Sequence, residues 1–158
     1  MTGWQYINDI WYYFTENAGD KQGAMFCKRW AEVPYNGTVE WYYFDENGTM
    51  KTDWLTQDEN KFYLYPIADG TRGRMLTGWQ KIGGKWYYLK GSGAMAEGWA
   101  RVSGAWYYLR PGSGAMATGW AKADGAWYYL GPDGAMFTGT HTINGRVYTF
   151  DESGVWQR

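Results

Sequence analysis

Aromatic and polar residues recur in a regular pattern from Thr77 to Met136. Each repeat consists of Gly-Trp, a short polar connector, Trp-Tyr-Tyr-Leu, a loop and Gly-Ala-Met. The opening tryptophan stands at positions 79, 99 and 120. A spacing of about 20 residues is typical of a solenoid of small stacked units. The pattern therefore predicts a repeat protein rather than a fold with one continuous core.

Each repeat is predicted to form a β-hairpin, because a two-residue connector separates its two apolar segments. Such connectors supply the positive φ angles of tight primed turns. In the first regular repeat this turn pairs Trp79 with Tyr88 and Lys81 with Trp86. The connectors of the three repeats are Gly83-Gly84, Ser103-Gly104 and Asp124-Gly125.

The two faces of each hairpin are predicted to have different roles, since side chains alternate across a strand. One face carries Trp79, Lys81, Trp86 and Tyr88, and the other carries Gln80, Ile82, Tyr87 and Leu89. We expect Tyr87, Leu89 and their equivalents to belong to the core. We expect the tryptophans of the first face, which in the first two regular repeats are Trp79, Trp86, Trp99 and Trp106, to contact a ligand instead.

The tryptophan face suits a quaternary ammonium ligand. Trp79 and Trp86 are diagonal neighbours, which lie roughly 7–8 Å apart across a hairpin. Two indoles at this spacing leave a slot, and a third ring from the next hairpin would close it into a cage. Quaternary ammonium groups cannot donate N–H hydrogen bonds, and the negative faces of aromatic rings hold them.

The repeat resembles the choline-binding repeat of cell-wall-binding modules from pneumococci, their phages and relatives. The resemblance is carried by Gly-Trp, Trp-Tyr-Tyr-Leu and Gly-Ala-Met, and weaker copies extend it over nearly the whole chain. It implies an all-β solenoid of about seven stacked hairpins without notable helices. It also implies that phosphocholine on teichoic acids is bound between consecutive hairpins. In that family the cage combines the two tryptophans of one repeat with the last tyrosine of the next repeat, and a methionine lies nearby.

The resemblance therefore implies a set of choline-binding residues. Two junctions look defective, because Trp30 and Trp41 would meet Leu64, whereas Trp120 and Trp127 would meet Thr149. The implied groups are Trp79, Trp86, Tyr108 and Met95; Trp99, Trp106, Tyr129 and Met116; Trp4, Trp11 and Tyr43; and Trp54, Phe62 and Tyr88.

The regularity of the repeats predicts three parts of one continuous solenoid. Residues 1–76 form three irregular repeats, 77–137 three regular repeats, and 138–158 a degenerate carboxy-terminal cap. In the third irregular repeat, Phe62-Tyr63-Leu64-Tyr65 is aligned with Trp-Tyr-Tyr-Leu. Trp156 is expected to cover the exposed end of the cap or to join a dimer contact.

Charge and composition exclude several other functions. The 15 basic and 16 acidic residues give no basic field that could attract nucleic acid. His141 is the only histidine and Cys27 the only cysteine, so the sequence offers neither a His-based triad or zinc site nor a disulfide framework. The acidic pairs lie in loops, where acids are common turn residues. We therefore expect no catalysis, no cofactor and no metal.

The resemblance places the chain at the bacterial cell surface, attached to the wall. No apolar run approaches the roughly 18 residues of a membrane span, and any export signal is expected to lie outside this chain. The implied partner is choline or phosphocholine of teichoic or lipoteichoic acid, and a homodimer is left open. Two alternatives are a carbohydrate-binding module, since related repeats in glucosyltransferases and clostridial toxins bind sugars, and an adhesin whose amino-terminal half binds a protein.

Overall fold

The computed structural model describes residues 1–16, 22–67 and 72–158, and these residues form strands, turns and irregular segments but no helix. The strands pair in chain order as seven antiparallel hairpins, numbered 1 to 7 from the amino terminus, and a short last strand joins hairpin 7. The strands are β1 (Gly3–Ile7), β2 (Ile10–Phe14), β3 (Arg29–Tyr35), β4 (Thr38–Phe44), β5 (Asp53–Gln57), β6 (Asn60–Leu64), β7 (Gly78–Ile82), β8 (Lys85–Leu89), β9 (Gly98–Val102), β10 (Ala105–Leu109), β11 (Gly119–Ala123), β12 (Ala126–Leu130), β13 (Gly139–Ile143), β14 (Arg146–Phe150) and β15 (Trp156–Gln157).

The turns have the geometry that their sequences predict. In hairpin 4 both residues of Gly83-Gly84 have positive φ, 55° and 80°, as a primed two-residue turn requires. This turn pairs Trp79 with Tyr88 and Lys81 with Trp86. The predicted register is thereby confirmed, and so is the prediction of an all-β fold with about seven hairpin repeats.

The chain divides into two compact units. The first contains Met1–Thr77 together with Gly91–Ala94, and the second contains Gly78–Lys90 together with Met95–Arg158. Hairpins 1 to 3 therefore belong to the first unit and hairpins 4 to 7 to the second. The three-part division predicted from repeat regularity stays a prediction.

In hairpins 2 to 7 the last residue of the second strand is a core residue, whereas its equivalent in hairpin 1, Phe14, is half-buried. The side chain of Leu89 is fully buried, as predicted, and the loop after it returns so that Met95 forms a bridge with Leu89. Full burial of one such side chain contributes about 1.5–3 kcal/mol. The equivalents of Leu89 are Phe44, Leu64, Leu109, Leu130 and Phe150, all at most 2% exposed.

A repeated backbone hydrogen bond sets the offset between consecutive hairpins. The N–H of Met116, which follows hairpin 5, donates to the carbonyl oxygen of Trp86 in hairpin 4 at 2.8 Å. Met136 donates in the same way to Trp106 at 2.8 Å. Because this bond recurs, hairpins 5 and 6 present the same strand positions to the tryptophans of the hairpin before them. In the first unit the equivalent bonds join Met50 to Trp11 and Met75 to Trp41.

Candidate binding sites between hairpins

Two indoles of hairpin 4 and one phenol of hairpin 5 line a cavity of about 300 Å³, which we call the Trp79 site. The rings are those of Trp79, Trp86 and Tyr107, and Met116 also lines the cavity. Tyr107 packs edge-on against Trp79, with ring centroids 4.8 Å apart and planes at 67°. Trp86 keeps 41% of its surface exposed, so the cavity opens to solvent.

The next pair of hairpins repeats this arrangement in the Trp99 site, a cavity of about 290 Å³. Its aromatic lining is Trp99, Trp106 and Tyr128, and Met136 takes the place that Met116 has in the Trp79 site. The ring centroids of Trp99 and Tyr128 are 4.6 Å apart, with planes at 65°. Trp106 is again 41% exposed. The two sites are therefore matched in shape and in aromatic composition.

The last junction forms a third cavity, the Trp120 site of about 370 Å³. It is lined by Trp120, Trp127, Tyr148 and Trp156. Trp120 packs edge-on against both Tyr148, at 5.0 Å, and Trp156, at 5.5 Å between centroids. Thr149 was predicted to face these tryptophans, but the ring that meets Trp120 is that of Tyr148; a binding defect at this junction stays a prediction.

Trp156 takes the position that a methionine has in the other repeats. It pairs with Phe150, just as Met136 forms a bridge with Leu130. An indole thus replaces a thioether in the wall of the Trp120 site. The expectation that Trp156 covers the exposed end of the cap did not include this role in lining the Trp120 site.

The first unit contains a narrower cavity, the Trp4 site, of about 90 Å³. It is lined by Trp4, Trp11, Tyr42, Met50 and Arg72, as well as Tyr35. The two indoles are closer here, 6.0 Å between centroids, and both pack against the buried cluster of this unit. The indole N–H of Trp4 is buried and has no hydrogen-bond partner among residues 1–16, 22–67 and 72–158. These indoles therefore act partly as core, and the site is less open than those of the second unit.

Hairpins 2 and 3 also meet through aromatic rings. Trp30 packs edge-on against Phe62, with centroids 4.9 Å apart, and Trp41 is 42% exposed. The ring that meets Trp30 is thus that of Phe62, whereas Leu64, which was predicted to face these tryptophans, is fully buried and pairs with Asp53.

The predicted alignment of the third repeat with the Trp-Tyr-Tyr-Leu motif is shifted by one position from the alignment in the structure. Leu64 forms the bridge with Met75 that Leu89 forms with Met95. Phe62 therefore corresponds to Tyr87, and Lys61 takes the place of the second tryptophan. Trp54 and Phe62 thus do not form the indole pair of one site. Trp54 and Tyr88 belong to different units, and their association stays a prediction.

The third ring differs from the one that the resemblance implies. The implied rings Tyr108, Tyr129 and Tyr43 pack against a tryptophan of their own hairpin, at 5.0, 5.3 and 5.3 Å between centroids. The middle tyrosine of the Trp-Tyr-Tyr motif lies on the other face of the strand, and it is this ring that meets the preceding hairpin. Tyr107 and Tyr128 accordingly line the cavities, and Tyr128 also packs against the buried cluster of Ala117, Ala121 and Leu130.

The methionine of each site also comes from one repeat further along the chain. Met116 lines the Trp79 site and Met136 the Trp99 site, whereas the resemblance implies Met95 and Met116. Met95 is buried and bridges to Leu89. The Trp79 and Trp99 sites therefore combine residues of two hairpins, of the loop after the second hairpin and of the loop after a third. Choline binding by all these residues stays a prediction at this point.

Burial raises the pKa of Tyr42 to about 12, with nearby Glu40 adding to the effect. The unfolded chain loses this phenolic proton near pH 10, while the folded chain keeps it until about pH 12. Below pH 10 the stabilisation is complete, and it is lost as the pH rises from about 10 through 12, because the unfolded state then binds fewer protons. We expect Tyr42→Phe to reduce this alkaline loss of stability. Denaturant unfolding of both proteins across this range measures it, and identical pH profiles would contradict the assignment.

The other chemical groups form no catalytic constellation in the part of the chain that the structure describes. His141 stacks on Phe137 at 4.1 Å, and its Nε2 atom lies 2.8 Å from the carbonyl oxygen of Thr138. No group of three or more His, Cys, Asp or Glu side chains there could hold a metal ion. None of the described residues forms a helix long and apolar enough to span a membrane.

Repeated hairpins with an aromatic cavity at successive junctions define a class of repeat binding modules, and comparison identifies the family. The choline-binding repeat model matches residues 76–118 and 117–155. A model described as a putative cell wall binding repeat matches residues 2–19 and 40–50. The chain belongs to the choline-binding repeat family. No curated protein sequence matches it.

Solved structures of this family share the fold. Choline-binding protein F from Streptococcus pneumoniae, crystallised in the presence of a peptidoglycan analogue, is 38% identical over 99% of this chain, with a TM-score of 0.86. The multimodular pneumococcal cell-wall endolysin from phage Cp-1, complexed with choline, is 30% identical over 86% of this chain, with a TM-score of 0.55. This chain covers 52% of the first protein and 37% of the second.

Proposed function

We propose that this chain is a non-catalytic module that binds the choline groups of teichoic or lipoteichoic acid. It would thereby attach a bacterial surface protein or a wall hydrolase to the cell wall. The observation that carries the proposal is the matched pair of open cavities at the Trp79 and Trp99 sites. Each has two indoles, one phenol and one methionine, and neither is filled by a side chain of the described residues.

This lining suits a trimethylammonium group better than a sugar or an anion. Each aromatic face contributes about 0.5–1 kcal/mol to cation binding when exposed and about 2 kcal/mol when desolvated. Three rings therefore supply about 1.5–6 kcal/mol, and about 4 kcal/mol corresponds to a millimolar dissociation constant. A single site of this kind binds free choline weakly.

Repetition compensates for this weakness. Teichoic acid carries many choline groups, and binding at one site raises the effective concentration of the next group at a neighbouring site. Linked sites gain about 10²–10⁴ in overall affinity in this way. The Trp120 site adds a third cavity with three indoles and one phenol. The choline complex of the phage endolysin, a relative at 30% identity, supports the same ligand class.

The proposal is tested by retention on a resin that carries quaternary ammonium groups. We expect the chain to be retained and to elute with free choline but not with dextran at the same concentration. Elution by dextran alone would favour carbohydrate binding instead. Titration with choline, followed through the assigned indole N–H resonances, should shift those of Trp79, Trp86, Trp99 and Trp106. Unchanged resonances in these four indoles at tens of millimolar choline would refute the proposal.

A further inference from the structure

A loop residue from two hairpins further along the chain contributes to each of three cavities. Asp133, in the loop after hairpin 6, lines the Trp79 site of hairpin 4. Ser153 lines the Trp99 site, and Arg72 lines the Trp4 site. Each of the three directly precedes the loop glycine that packs on a methionine of the preceding repeat, so they occupy one equivalent position. We call this position the rim position.

The rim position carries a different charge at each site. It is negative in the Trp79 site, neutral in the Trp99 site and positive in the Trp4 site. The other charges of the first two sites are matched, because Lys81 stands opposite Trp86 and Arg101 stands opposite Trp106. The Lys81 ammonium lies 6.0 Å from the centroid of the Trp86 ring. The lining of the Trp79 site therefore contains a carboxylate, whereas the lining of the Trp99 site contains no charged side chain.

The loop does not need a carboxylate at the rim position in order to fold. Asp133 accepts a hydrogen bond from the backbone N–H of Ala135 at 3.0 Å. The hydroxyl oxygens of Ser92 and Ser113 accept the equivalent bonds in their loops, at 3.5 and 3.3 Å. Asp133 forms no ion pair with any residue in the described part of the chain. Its charge is therefore dispensable for the loop and available to a ligand.

The geometry points to Asp133 as a specificity-determining residue that makes the Trp79 site prefer cationic over neutral ligands. This inference rests on the proposed function and deepens it, because it ranks the sites. Choline binds most tightly where the rim residue is Asp133, less tightly at Ser153 and least tightly at Arg72. Exposed charge pairs contribute 0.2–1 kcal/mol, which corresponds to about 1.4- to 5-fold in affinity.

Two substitutions test the rim charge at one site. Asp133→Asn keeps the oxygen that accepts from Ala135, and we expect it to weaken choline binding at the Trp79 site about two- to fivefold. Asp133→Lys imitates the charge of Arg72 and should weaken binding further. Neither variant should change the Trp99 site, read from its own indole N–H resonances in the same titration. Asp124→Asn, which removes a carboxylate from the turn of hairpin 6, is the control for net charge and should leave both sites unchanged.

A neutral ligand separates charge from shape. The tert-butyl analogue of choline, in which carbon replaces the quaternary nitrogen, should bind the Trp79 site equally in the wild type and in Asp133→Asn. Choline affinity that is unchanged in both Asp133 variants would overturn the inference while leaving the proposed function intact. So would an equal loss for choline and the neutral analogue, which would indicate a change of loop shape. If choline shifts no indole resonance in the wild type, the result contradicts the proposed function itself and not only the inference about Asp133.

Discussion

Replacing Gly114 with alanine should lower the free energy of unfolding by about 3 kcal/mol, the sum of two separate costs. Gly114 has a φ of +69°, and an L-residue in this left-handed region costs about 1–2 kcal/mol. An added Cβ would also collide with the side chain of Met95, which is buried. Overpacking of a buried contact costs about 1–3 kcal/mol, and the flexible methionine side chain keeps this cost toward the lower end.

Gly104→Ala is the matched control, because Gly104 has a φ of +89° and nothing lies within 4 Å of its added Cβ. It should cost only the backbone strain, about 1–2 kcal/mol. Chemical denaturation of both variants measures the difference. The double variant Gly114→Ala with Met95→Ala should lose less free energy of unfolding than the two single variants lose in total, since removal of the thioether relieves the collision. Equal losses for Gly114→Ala and Gly104→Ala would show that Met95 does not constrain the loop.

The contact between Gly114 and Met95 is one example of a glycine–methionine contact that recurs between successive Gly-Ala-Met motifs. The glycine of each motif lies against the methionine of the preceding motif, as Gly134 does against Met116 and Gly154 against Met136. The glycine therefore serves the packing between repeats as well as its own turn. Met116 lines the Trp79 site and also packs against Gly134, so it belongs both to a cavity and to the contact between repeats.

The hairpins themselves could be predicted from sequence because their register depends on local residues. A two-residue turn with positive φ fixes which residues face each other, so the position of Gly83-Gly84 was sufficient to pair Trp79 with Tyr88. In the irregular third repeat, an alignment by aromatic residue type differs by one position from an alignment by spacing, and the spacing gives the correct one. Leu64 follows Trp54 at the same distance at which Leu89 follows Trp79, and this spacing could have identified Leu64 as the buried residue.

The partner ring of each site depends on how hairpins stack, which no single repeat specifies. Side-chain alternation nevertheless contains the missing information. Tyr108 shares a face with Trp99, so it points toward the same neighbour as Trp99 does. A ring that meets the tryptophans of hairpin 4 must come from the opposite face of hairpin 5, and that face carries Tyr107. The resemblance implies the last tyrosine of the motif, whereas side-chain alternation favours the middle one.

Substitution of Tyr107 and of Tyr108 should therefore have different effects on ligand binding. We expect Tyr107→Leu to weaken choline binding at the Trp79 site about 2- to 30-fold, because one aromatic face contributes about 0.5–2 kcal/mol. Leucine keeps apolar bulk at the position but removes the π-system together with the phenolic hydroxyl. Tyr108→Leu is the matched control one residue away, and it should leave the Trp79 site unchanged.

The same titration makes Tyr108→Leu informative about the next site. Tyr108 packs against Trp99 at 5.0 Å between centroids, so its loss should alter the indole resonances of the Trp99 site and not those of Trp79 and Trp86. Thermal unfolding of both variants verifies that each is folded. A weakened Trp79 site in Tyr108→Leu together with an unaffected one in Tyr107→Leu would mean that the last tyrosine of the motif closes the cage when choline is bound. The stacking of opposite faces would then not describe the liganded state.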